Sequence, residues 1–206
     1  MKKSILIFFS VFTLSLISAL EVNRPELEGL QNQTIEFINY TGPHKVIDSL
    51  EAIKGIGKDL GSLVAKSTTV STRVGSTSKY YVIHAVDASQ KEKLDADILF
   101  IGQDATVDHI TNLRRIISSY LSSAYGYSSS DADTLSVFIT VYNAVYRGKL
   151  SDFQSKYKDI VTKNLDSANC GLSVNYKDWP GKSQIVIPLY DVTNGGLSTV
   201  DTSVIS

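Results

Sequence analysis

Three histidines, one cysteine and a handful of carboxylates are the side chains from which this 206-residue chain could assemble catalysis or metal binding. His44, His84 and His109 stand far apart, none pairs with another at i+4, and no H-E-x-x-H run occurs. A zinc site would therefore need ligands from distant segments. His84 falls inside an apolar run and reads as a satisfied core or edge residue, and His109 opens a helix, where solvent ordinarily reaches it. Cys170 has no second cysteine to pair with, and Asn169-Cys170-Gly171 carries no nucleophile signature, so a buried structural thiol is expected. The Ser-rich stretch Tyr127–Asp131 looks like a helix-start loop, and Arg114-Arg115 and Arg147-Gly148-Lys149 suit charge pairing at helix ends. No constellation reaches the standard for an enzyme, so a non-enzymatic chain without cofactors is expected.

Two short patterns come closer to chemistry. Ile53 to Gly61 (IKGIGKDLG) resembles a helix-hairpin-helix, in which a Gly-apolar-Gly turn between two short helices offers backbone N–H groups to a phosphate. Gly55, Ile56 and Gly57 would form that turn, and Lys58 would add a cation. No strand precedes the segment and its third glycine comes one position late, so it fails as a dinucleotide fingerprint. Asp48, Glu51 and Asp59 match Lys45, Lys54 and Lys58 in number, leaving no basic surround for nucleic acid. The second pattern, Asp87-Ala88-Ser89 after an apolar strand, is similar to the start of the Asp-x-Ser-x-Ser metal site of von Willebrand A domains. Asp87 and Ser89 could hold a divalent ion through oxygen, but Lys91 replaces the third ligand. A plain turn at Asp87 and no metal is the expectation.

The elements that must position these residues follow from hydrophobic spacing. Strands are expected over Thr34–Tyr40, Lys79–Val86, Asp97–Ile101 and Ser183–Leu189, the last at a sheet edge because of Pro188. Lys66–Ser78, rich in Ser and Thr, reads as a mobile loop. Val46–Ala65 has helical spacing interrupted by glycines and is expected as a helical pair broken at Gly55–Gly57. Three sequential helices follow: Thr106–Tyr125 ended by Gly126, Ser130–Arg147 ended by Gly148, and a third opened by a capping box at Ser151–Gln154. Together these give a single α+β domain over 21–190, with about four strands, followed by a flexible tail over 191–206.

Composition narrows the class. With 43% apolar residues, 20% charged and net charge −1, the chain is neither disordered nor strongly attracted to nucleic acid. Residues 1–20 read as a signal peptide: Met1-Lys2-Lys3 is a basic start, Ser4–Ile17 an uncharged apolar run, and Ala19 a small residue at the cut. An uncleaved anchor is the alternative. Lys2 and Lys3 are two of the 20 cations, so cleavage leaves 18 against 21 acids, a net −3. The expectation is an exported chain, periplasmic or associated with the cell envelope, with protein partners there and no membrane span after cleavage.

Several blocks, in order, carry a family resemblance: Glu36–Pro43 (EFINYTGP), Gly55–Gly57, Leu113–Ile116 (LRRI), Val141–Gly148 (VYNAVYRG), Gly171–Ser173 and Trp179–Leu189 (WPGKSQIVIPL). As an ordered set over Thr34–Leu189 they resemble the Borrelia 83/100 kDa antigen family, which has members in treponemes. The resemblance implies an exported, immunogenic spirochaete envelope protein and carries over no catalytic residue. Family members continue into a long Lys/Glu-rich helical region. Against that pattern two expectations stand: a truncated product, or a short member lacking the region.

Overall fold

β-Branched and aromatic runs need partners on both sides, and the chain supplies them in one four-stranded sheet. A computed structural model describes residues 24–38, 49–67, 72–77 and 79–190. The strands are β1 (Thr72–Thr77), β2 (Tyr80–Ala85), β3 (Asp95–Ile101) and β4 (Gln184–Leu189), in the spatial order β1-β2-β3-β4 with every neighbouring pair antiparallel. Between β3 and β4 the chain leaves the sheet for α3 (Ile110–Tyr125), α4 (Ser129–Val145), α5 (Leu150–Lys156) and α6 (Asp159–Thr162). α1 (Arg24–Gln31) and α2 (Leu50–Ala65) precede the sheet. The result is the expected α+β architecture. The expected signal peptide, the expected 191–206 tail, His44 and the expected Gly42-Pro43 turn lie outside the described residues.

Alternation fixes which residues share a face. Register aligns Val74, Val82, Leu99 and Ile185, and two residues on, Thr72, His84, Asp97 and Ile187. This is the inner face, against which α2 and α3 pack. The other face carries Arg73, Ile83, Ile98 and Val186, then Gly75, Tyr81, Phe100 and Gln184.

β4 shows why Pro188 belongs at an edge. Gln184, Val186 and Pro188 turn their backbone groups away from β3. Gln184 N–H donates to the Asn169 carbonyl and its own carbonyl accepts from Gly171 N–H. The buried Asn143 of α4 receives the Val186 N–H at 2.8 Å and donates back to the Val186 carbonyl at 2.8 Å. Pro188 has no N–H to leave unpaired. The edge is thus closed by side-chain and loop groups instead of a fifth strand.

Four sequence expectations are corrected. The helical pair is one helix: α2 runs unbroken through Gly55-Ile56-Gly57, capped by Ser49, whose hydroxyl accepts from Ala52 N–H. The reason is the seam with α3. Gly57 and Gly61 lie one turn apart on the buried side, and a Cβ there would meet the Ile116 carbonyl oxygen at 2.0 Å and the Tyr120 carbonyl oxygen at 2.7 Å. Serines of α3 reach into the same seam: Ser119 and Ser123 hydroxyls donate to the Lys54 and Lys58 carbonyls at 2.7 and 2.9 Å. Each interior glycine costs about 1 kcal/mol of helix propensity, which this close packing offsets.

The expected loop Lys66–Ser78 contains β1, because Thr72, Val74 and their neighbours find a pairing edge on β2 that local composition does not reveal. The expected strand Thr34–Tyr40 shrinks, among its described residues, to one bridge between Ile38 and Asn175. The third long helix is two short ones, α5 and α6, and Ser151 sits inside α5 with no side-chain cap at Lys149. The break at Tyr157-Lys158 lets Leu94 donate to the Lys156 carbonyl and accept from Lys158 N–H. That tertiary pairing overrides the local helical spacing. By contrast Gly126, with φ +74°, closes α3 as expected.

Candidate functional site

Asp97 is the most chemically demanding residue of the sheet: a carboxylate with no exposure at all, in the middle of an apolar strand. Burial of such a group is tolerable only with a full set of donors. Asp97 has them. His84, directly across on β2, places Nδ1 2.5 Å from Asp97 Oδ1. The hydroxyls of Tyr120 and Tyr125, one helical turn apart and more on α3, both donate to Oδ2. Burial, reinforced by the Asp97 charge, pushes both phenols far above their ordinary pKa. For His84 burial alone pulls the pKa down, but the Asp97 hydrogen bond and charge, with Asp95 adding, raise it overall. The imidazole side chain retains 17% exposure, and Asp97 retains none.

The opposite face of the sheet is built differently. Gly75 stands across from Tyr81 and offers no side chain, and the Arg73 guanidinium lies over the vacant side of the Tyr81 ring, 3.6 Å from its centroid. Tyr81 in turn stacks on its cross-strand partner Phe100, with ring centroids 4.4 Å apart and planes 8° apart. Arg73 is exposed, and Tyr81, Ile83 and Phe100 are half-buried. Beside this ladder a groove of about 340 Å³ opens, bounded by Phe100, Gln103, Asp166, Asn169 and Gly181. An aromatic floor, a fixed cation and amide groups on the rim are the parts of a recognition surface.

The residues singled out from sequence fare unevenly. Gly55, Ile56 and Gly57 lie inside α2, where their N–H groups belong to the helix ladder. No phosphate-binding turn forms there, and Lys58 is an exposed helical cation. Asp87 and Ser89 form one turn: the Asp87 carboxylate accepts from Ser89 N–H at 2.9 Å and from its hydroxyl at 2.7 Å, which holds the exposed carboxyl below the usual range. The nearly buried Lys158 ammonium donates to the Asp87 carbonyl and sits 2.9 Å from Asp95. A cation of the protein's own already occupies that end of the sheet. His109 caps α3, its Nδ1 accepting from Thr111 N–H. Cys170 is buried and its thiol pushed up, first by burial. Among the described residues no group of three or more His, Cys, Asp or Glu side chains is placed to hold a metal.

A family model described as Borrelia P83/100 protein matches residues 24–206. The chain belongs to the Borrelia P83/100 family. No curated protein and no solved structure matches it. In this P83/100 chain the blocks behind the resemblance are mostly structural. Leu113–Ile116 puts Ile116 in the α2–α3 seam and Arg114 against Thr140 of α4, Val141–Gly148 contains the edge-closing Asn143, and Trp179–Leu189 ends in β4. Trp179 is fully buried and donates from Nε1 to the Ser173 carbonyl at 2.7 Å. No helix among the described residues is long and apolar enough to cross a membrane. Neither Asp97 nor the Arg73 ladder was singled out from sequence. A carboxylate inside an apolar strand was the available signal for the first, and the loop reading of Lys66–Ser78 concealed the second.

Proposed function

We propose that this P83/100 chain is an exported, non-enzymatic interaction domain of the spirochaete cell envelope, and that it contacts protein partners through the outer sheet face. The single observation behind the surface is the half-exposed ladder Arg73–Tyr81–Phe100 beside its groove. Stacking holds three side chains rigid before any partner arrives, which lowers the ordering cost of binding. Arg and Tyr are also the residue types that most often anchor interfaces. Export rests on the basic start, apolar run and small residue of positions 1–20.

A photoreactive tyrosine analogue at position 81, with a second at Lys58 on exposed α2 as control, tests this in intact Borrelia cells. Adducts to one envelope protein from position 81 and not from 58 are the expected result. Recovery of the chain in the cytoplasmic fraction, or equal adducts at both positions, would overturn the proposal.

A further inference from the structure

Among the described partners of Asp97, only His84 changes charge near neutral pH, since both phenols are held neutral far above it. Asp97 lies on the sheet and the two tyrosines on the last two turns of α3, so the carboxylate is the polar tie between the two layers. The same stretch of α3 also forms the seam with α2. Gly61 packs against the Tyr120 carbonyl, the Ser123 Cβ and the Ala124 nitrogen. Whatever loosens Tyr120 and Tyr125 therefore loosens the surface on which α2 rests.

We propose that His84 and Asp97 form a proton-controlled latch that holds the end of α3, and through it α2, against the sheet. With His84 protonated, the buried carboxylate has a counter-charge 2.5 Å away and two phenolic donors. With His84 neutral, Nδ1–H still donates, but the buried negative charge has lost its counter-ion. The groups facing His84 reinforce this sign. β3 contributes Asp97 and Asp95, both of which favour the imidazolium; α3 contributes the two phenols, with Tyr127 beside Tyr125. β1 places the uncharged Thr72 opposite. α2, which packs on β2, keeps Glu51, Lys54, Lys58, Asp59 and Lys66 exposed.

A native pKa above the unfolded value of about 6.5 means that the contribution is complete below that pH. It is lost as pH rises through the higher native value. Each pH unit by which the native value exceeds the unfolded one corresponds to a tenfold change in the folding constant.

NMR titration of the full-length chain reads the imidazole directly, with His84 identified by sequential backbone assignment. Hydrogen exchange of the Leu121–Gly126 amides, corrected for the intrinsic rate and compared with Ile139 in α4, reads the latch. The expected result is a His84 midpoint above 6.5 and a selective fall in Leu121–Gly126 protection through that midpoint. His84→Asn, which keeps a donor without a titrating group, is expected to abolish the pH dependence of that protection. A midpoint at or below 6.5, or an unchanged exchange profile in His84→Asn, overturns the latch. Should His84→Asn fail to fold, the midpoint and exchange profile of the unaltered chain still decide.

Discussion

The two faces of one sheet handle polar groups in opposite ways. On the inner face a carboxylate is sealed from water and surrounded by His84, Tyr120 and Tyr125. On the outer face an exposed guanidinium lies over an aromatic ring. Buried charge raises the stakes of every partner, because losing one strands the rest in a low-dielectric site. Exposed stacking contributes little to stability and leaves binding groups in place. The inner face therefore seals its charge, whereas the outer face, fully buried at Ile98 and Val186, leaves its Arg73–Tyr81–Phe100 end open for the interaction proposed above.

Substitutions that separate stability from binding sharpen this contrast. Asp97→Ala should have the largest effect, about 3–5 kcal/mol lost in urea unfolding, since it orphans the buried Tyr120 and the partly buried Tyr125 and His84 at once. Asn143→Ala should cost about 1–3 kcal/mol for each Val186 group left unpaired, with the β4 amides exchanging faster. Gly57→Ala should cost about 1–3 kcal/mol, because the new methyl meets the Ile116 backbone and α2 must shift. Gly55→Ala meets nothing within 4 Å and should instead raise stability by up to about 1 kcal/mol. Opposite signs for two glycines only two residues apart would distinguish a helix seam from a turn; a loss at both would favour the turn. Arg73→Ala should have the smallest effect on unfolding, about 0.5–1 kcal/mol, while removing the adducts at position 81. If Arg73→Ala destabilised the fold as much as Asp97→Ala, the division between the two faces would fail.

How much of this was legible follows the range of the forces involved. β2, β3, β4, the amphipathic α3 and the largely apolar α4 were readable because hydrophobic patterning is local, and Pro188 marked an edge because its missing N–H is a property of one residue. β1 was not, because Thr and Ser serve equally in loops and strands until a neighbouring edge offers pairing. The candidate site was less legible still. Arg73, Tyr81 and Phe100 are brought together by cross-strand register, and Asp97 gains its partners from β2 and α3.

The α2 glycines draw the boundary most clearly. In sequence, Gly55, Gly57 and Gly61 are three helix-weakening residues, and intrinsic propensity favours a break. In the fold, two of them are the only residue type that lets α2 approach the backbone of α3 so closely. The chain by itself determined its α+β class and its apolar segments, both set by residues near one another. Only the tertiary structure decided whether a glycine bends or packs, whether Ser and Thr form a loop or a strand, and which carboxylate is buried. Those outcomes depend on contact energies between segments dozens of residues apart, and no local pattern encodes them.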